Sequence, residues 1–292
     1  MSEWLCCAGP LSEPSEPIGN VGWVTTLSRW IELDGAVNVR DLGGLPTRDG
    51  TVTAPRRLIR SDNLQALTAS DVRLLVDELK VRSVVDLRTG VEVVNEGPGP
   101  LTREPDVDVR HLSLFPEVGQ NTDAAALPEG KPVILPWQER ARIGPDGKKQ
   151  WPDAAEVYVG YLTERPDSVL AGLRLIAATE GATIVHCAAG KDRTGILTAL
   201  ALEEVGVERE AIIEDYVLTG ERIEAIMRRL MDTQTYSDDV VTAKMNKHKP
   251  KAETMIEVFA TVDGTFGGVG TWLREQGWTE ADAVALRSRL LA

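Results

Sequence analysis

In the stretch His186-Cys187-Ala188-Ala189-Gly190-Lys191-Asp192-Arg193-Thr194-Gly195 a thiol stands six positions before a guanidinium, with a glycine between them. That spacing suits a loop wrapped around an oxyanion. A cysteine beside a cation and ahead of a helix N-terminus is expected to ionise near neutral pH, and the thiolate is a nucleophile. The unpaired amides and positive end of the helix favour an anion. Successive loop amides form a nest, and Gly190 lets the backbone approach a ligand closely. Arg193 offers a planar fork that grips two phosphate oxygens at once. The chemistry implied is phosphoryl transfer to Cys187, with Ala188, Ala189, Gly190, Lys191 and Thr194 completing the cradle. His186 is expected to bond the backbone around the cysteine, or else to be a packed core histidine. Thr194 either donates its hydroxyl to the sulfur or caps the helix. A buried cysteine alone is ordinarily a small hydrophobe; the joint pattern carries the reading.

Expelling a poor leaving oxygen requires a proton donor, worth about 10²–10⁴-fold. Three carboxylates compete for that role. Asp192 lies inside the loop, Asp86 ends the run Val84-Val85-Asp86, and Asp153 follows Trp151-Pro152. Asp86 has a plain alternative as a strand-end carboxylate paired with Arg88. Asp153 has one as a helix cap, since it is followed by Ala-Ala-Glu.

These residues need a scaffold, and the hydrophobic pattern describes an α/β one. Thr183-Ile184-Val185 reads as a buried strand entering the loop, and Ile196, Leu197, Leu200, Ala201 and Val205 recur at helical spacing after it. Further strands are expected at Arg57–Arg60, Val81–Leu87 and Val109–Leu114, and an edge strand or hairpin at Val21–Leu33. Thr68 is expected to cap a helix running through Leu79. Helices are expected over Asp153–Thr179, Thr194–Val205, Arg209–Leu218, Glu221–Met231, Lys251–Val262, Thr271–Gln276 and Glu280–Leu291. The architecture is therefore a central, mostly parallel sheet flanked by helices, with a helix-rich C-terminal half. Residues 1–20 are rich in Ser, Glu, Pro and Gly and read as a disordered lead, leaving one domain over 21–292. Pro116, Pro128, Pro132, Pro136 and Pro145, with four glycines, punctuate 115–152, which reads as a lid-like insertion or a plain solvent loop. Residues 232–250 are the alternative candidate for a lid, with the same plain reading as a solvent loop.

The loop resembles the signature of the cysteine-dependent protein phosphatases. Its Lys191-Asp192 pair is similar to that of a bacterial branch of tyrosine-phosphatase-like enzymes. Asn38-Val39-Arg40-Asp41-Leu42-Gly43-Gly44, Arg57–Ser61, Val84–Arg88, Asp215-Tyr216 and Phe266–Leu273 resemble segments of that branch in the same order. The resemblance implies the cysteine-phosphatase fold and a metal-independent phosphomonoester hydrolase of dual tyrosine and serine specificity. It also implies activity on phosphoinositides, whose second phosphate would meet Lys191. It ranks Asp192 and Asp86 above Asp153, because the branch lacks the usual acid loop. Two other classes use comparable loops: a catalytically silent phosphate-binding module and a sulfurtransferase. A nucleotide P-loop is excluded, because Val185 and Asp192 stand where it needs glycine and Ser or Thr.

The formal charge of −13 argues against nucleic acid as partner and leaves phosphorylated proteins or phosphoinositides as substrates. Three cysteines, with Cys6 and Cys7 adjacent, give no disulfide framework and suit a reducing compartment. His111 and His248 have no companions at ligand spacing, so neither metal nor cofactor is expected. No apolar run is long enough to span a membrane, and no secretory signal opens the chain. The cytoplasm is the default location, although members of the resembling branch leave the cell without an ordinary signal.

Overall fold

The computed structural model describes residues 29–116, 142–143, 149–233, 235–236 and 248–292. The expected lead at 1–20 lies outside the described residues. So do positions 21–28 of the first expected strand and most of the two lid candidates at 115–152 and 232–250.

Five strands form one sheet: β1 (Arg40–Asp41), β2 (Leu58–Ser61), β3 (Val81–Asp86), β4 (Asp108–His111) and, after the short antiparallel pair β5 (Arg142–Ile143) and β6 (Lys149–Gln150), β7 (Ala182–His186). Their spatial order is β1-β2-β7-β3-β4, parallel throughout except for β1 on β2. The strand that feeds the cysteine loop is therefore central. Alternation along the strands divides two cores between the faces. Ile59, Val84 and Ile184 pack with Leu75 and Val76 on one side. Leu58, Val85 and Val185 pack with Leu173, Leu197 and Leu200 on the other.

The helices are α1 (Ala69–Arg73), α2 (Gly90–Glu96), α3 (Ala154–Glu164), α4 (Pro166–Ala178), α5 (Asp192–Glu204), α6 (Arg209–Leu218), α7 (Ile223–Met231), α8 (Ala252–Phe266), α9 (Val269–Glu275) and α10 (Glu280–Leu290). Thr68 caps α1 in a reciprocal capping box with Asp71, as expected, and a π-helical turn over Leu74–Glu78 continues it. The single helix expected over Asp153–Thr179 is instead α3 and α4. Pro166 disfavours helical geometry at Arg165, where the chain breaks at φ −135° before restarting with proline in the first turn. Helix α5 starts at Asp192, two residues earlier than expected. Asp192 and Arg193 thus sit in its first turn, and every residue from Arg193 to Leu202 is buried.

Candidate active site

The loop from Cys187 to Lys191 runs from the carboxyl end of central β7 into the N-terminus of α5, the crevice where open α/β sheets bind ligands. Its carbonyls are claimed from outside. The Asn63 amide donates to Ala188 O at 3.0 Å, Asn38 Nδ2 to Ala189 O at 3.0 Å, and an Arg60 guanidinium nitrogen to Gly190 O at 2.8 Å. The loop amides have no such calls on them. Among the described residues, no acceptor takes the N–H groups of Ala188, Ala189, Gly190, Lys191 or Asp192. Five successive donors therefore remain for an anion, beside the orphan amides of the helix end. Gly190 makes the curl possible: its φ is +64°, and a Cβ there would lie 2.4 Å from Ser61 O.

Asn38 and Arg60 are themselves fixed by a buried charge cluster. Asp215 accepts from Arg40 Nε at 3.0 Å, Arg60 at 2.7 Å and Arg29 at 3.0 Å, while Arg40 also donates to Asn38 Oδ1 at 2.6 Å. Burial alone would raise the Asp215 carboxyl, but Arg40 and Arg60 outweigh it and hold it well below the carboxylate range. Burial lowers Arg40 to about 10, against the pull of Asp215. The segments containing Asn38, Arg60 and Asp215 were legible only as family resemblances; together they clamp the loop.

Arg193 is buried, and its two terminal nitrogens meet the two oxygens of Glu92 at 2.6 and 2.7 Å. Tyr236 also donates to Glu92, and the Arg193 guanidinium lies 5.7 Å from the Phe115 ring centre. Glu92, in the first turn of α2, reciprocates the Thr89 cap there. Burial opposes ionisation on both sides of this pair. Each partner outweighs it for the other, so Glu92 lies below its ordinary value and Arg193 above its own. Lys191 Nζ reaches Asp192 Oδ1 at 2.6 Å, and Tyr158 donates to the same oxygen. Here too burial would raise the Asp192 carboxyl, and the Lys191 ammonium outweighs it and holds the carboxyl low. Lys191 and Arg193 are each matched by a carboxylate, so attraction for an anion falls chiefly to the backbone amides and the helix end.

A cavity of about 470 Å³ opens here, lined by Cys187, Ala188, Ala189, Lys191, Asp192 and Arg193 and walled by Phe115, Tyr158, Tyr161, Met227 and Tyr236. Of the three candidate acids, only Asp192 lines it; its side chain is 34% exposed. Asp86 is buried, with both oxygens on the Arg88 guanidinium at 2.6–3.1 Å and a further bond from the Arg88 amide. Asp153 is exposed and caps α3 by accepting from the Glu156 amide at 2.7 Å. Both therefore adopt their plain alternatives. His186 is buried against Asp86, 3.6 Å away, with Nδ1 3.3 Å from Cys187 O; burial lowers it to about 4. Thr194 Oγ1 is buried without a partner among the described residues. Among those residues no group of His, Cys, Asp and Glu is arranged to hold a metal, and no helix is long and apolar enough to cross a membrane.

Sequence reading missed Glu92, Tyr158, Tyr236 and His248. The last lines the cavity with a buried Nε2 that has no partner among the described residues. Only Glu92 left a signal, the Thr-x-x-Glu spelling of a capping box at Thr89.

A sequence model of the tyrosine phosphatase family matches residues 31–292. The chain is 30% identical over 280 residues to the triple specificity protein phosphatase PtpB of Mycobacterium tuberculosis, covering 89% of this chain and 98% of that protein. It is 26% identical over 254 residues to a tyrosine-protein phosphatase of Nostoc commune, covering 84% of this chain and 78% of that protein.

Proposed function

The chain belongs to the tyrosine phosphatase family, and from that premise we propose that it hydrolyses phosphomonoesters through a phosphocysteine intermediate. The observation that carries this reading is the ring of five unclaimed amides after Cys187, closed by Arg193, within one cavity.

In the proposed cycle the phosphate dianion settles on the loop amides from Ala188 to Thr194 and on the Arg193 guanidinium. Cys187 attacks as the thiolate. The S–P bond forms as the bond from phosphorus to the leaving oxygen breaks, and Asp192 gives that oxygen a proton. Water then attacks the phosphocysteine, the S–P bond breaks back to the thiolate, and Asp192 recovers the proton as inorganic phosphate departs. Thr194 Oγ1, buried and unpartnered, is suited to donate to the sulfur as it leaves. No metal or cofactor enters these steps.

Phosphotyrosine and phosphoserine proteins are the proposed substrates, with phosphoinositides beside them. The aromatic walls of the cavity suit an aryl ester. Lys191 at the rim is the group to meet a second phosphate, and the mycobacterial relative is named for triple specificity. The alternatives of a silent phosphate reader and a sulfurtransferase fit poorly with a family of phosphatases and with a nucleophile, a carboxylate and an arginine lining one cavity.

The test is Cys187→Ser. It should abolish turnover of an aryl phosphate while still binding inorganic phosphate. The parent enzyme, quenched in acid during turnover, should carry phosphate on Cys187 by mass spectrometry. Retained turnover in the variant overturns the mechanism. Phosphotyrosine and phosphoserine peptides and mono- and bis-phosphorylated inositol lipids then rank the substrates.

A further inference from the structure

The bonds around Asp192 distinguish its two oxygens. Lys191 Nζ and the Tyr158 hydroxyl both end on Oδ1, and among the described residues no donor reaches Oδ2. Tyr158 has one proton to give, and it goes to Asp192. The Tyr216 hydroxyl, 3.0 Å from that of Tyr158, must therefore be the donor in their contact. A directed chain results, from Tyr216 on α6 through Tyr158 on α3 to the first turn of α5. It is held rigidly: Tyr158 is 2% exposed, and its ring packs against those of Tyr161 and Tyr216.

We infer that Tyr158 is a positioning residue for the leaving-group acid: with Lys191 it pins Oδ1 of Asp192, so that Oδ2 carries the transferred proton into the cavity. This rests on the proposed phosphatase cycle with Asp192 as its acid.

The step balances simply. A proton taken from solvent sits on Oδ2 in the substrate complex. It passes to the leaving oxygen as the P–O bond breaks, and the carboxylate left behind is stabilised by the two donors on Oδ1. In the second half, Oδ2 takes a proton from the attacking water. Tyr158 cannot replace Asp192 as the acid, because burial and the adjacent carboxylate raise its hydroxyl well above the ordinary value and keep it protonated. Charged and titratable groups face Asp192 from several elements: Lys191 and Arg193 from the loop and α5, Tyr158 from α3, Tyr216 from α6, and His248 from the segment before α8, with Cys187 lining the same cavity.

The decisive variant is Tyr158→Phe, which keeps the ring and removes one donor from the Asp192 carboxylate. Turnover of an alkyl phosphate should fall about 10- to 100-fold, mostly in kcat, and turnover of an aryl phosphate by much less. Losing a donor to the charged form makes Asp192 easier to protonate, so the basic limb of the kcat profile should move to higher pH. Inhibition by inorganic phosphate should persist, which separates this effect from a collapsed loop. Asp192→Asn is run beside it. If Asp192→Asn steepens the dependence on leaving group while Tyr158→Phe moves neither that dependence nor the basic limb, the positioning role is overturned and the cycle stands. If Asp192→Asn leaves the dependence unchanged, the acid assignment and this inference fall together. Should Tyr158→Phe lose phosphate inhibition as well, Tyr216→Phe serves in its place. It removes the donor behind Tyr158, and an unmoved basic limb there overturns the inference.

Discussion

Glu92 holds Arg193 by both terminal nitrogens, at 2.6 and 2.7 Å, from the first turn of a different helix. The fork is thereby aimed before any phosphate arrives. Glu92→Gln keeps the shape but gives up one acceptor and the charge, so kcat/KM should fall by about 100-fold. Arg193→Lys should be at least as damaging, because an ammonium cannot span Glu92 and two phosphate oxygens together. Steady-state kinetics on an aryl phosphate check both, and parent-like values for Glu92→Gln would refute the aiming role.

Asp86 and Asp192 should separate cleanly on substitution. Asp86→Asn leaves the buried Arg88 guanidinium uncompensated and should cost about 3–5 kcal/mol of stability without changing the dependence on leaving group. Asp192→Asn, at a partly exposed position, should spare stability and lower the alkyl phosphate rate by about 10²–10⁴-fold. Urea unfolding and paired aryl and alkyl substrates report the two effects.

Asp215→Asn should unfold more easily by about 3–5 kcal/mol and weaken inhibition by inorganic phosphate, since Arg60 then loses its anchor beside Gly190. The pH dependence has a definite sign. The folded carboxyl lies below its ordinary value of 3.8, so its stabilisation is complete above that value and lost as pH falls through the folded one. The gap between parent and variant should therefore be constant near neutrality and close only in acid. A gap that closes at pH 6 would contradict the assignment.

His186 supplies a second dependence in a different window. Its folded value is about 4 against an ordinary 6.5. Between those limits the unfolded chain binds a proton that the folded chain refuses, so acidification favours unfolding. Stability should decline from pH 6.5 to 4 by about 3 kcal/mol on this account, with no further contribution below. His186→Asn should flatten that slope in denaturant titrations, and an unchanged slope would place the proton elsewhere.

The strand into the loop, the helix out of it and the sheet core were legible because each is a local pattern: β-branched runs, helical spacing, a threonine cap at Thr68. Pro166 was equally local, yet the helical spacing of apolar residues on either side of it masked the break between α3 and α4. The partners were harder to see. Glu92 meets Arg193 across 101 positions, and Tyr158 meets Asp192 across 34; no periodicity encodes such pairings. Asp86 looked like an acid because it ends a strand whose tip faces the crevice of the loop, and Asp153 because Trp151-Pro152-Asp153 spells an acid loop. Their geometry spends one on Arg88 and the other on a helix cap.

The clamp around the loop gathers side chains from positions 38, 60 and 215 and a backbone amide from position 63, while the thiol it serves is at 187. A nascent polypeptide that has emerged only as far as α5 already holds sulfur and guanidinium, yet lacks Asp215 to fix the Arg60 that clamps the loop. Dephosphorylation should therefore switch on only after α6 has docked, so that half-made chains on the ribosome are harmless to the phosphorylated molecules around them.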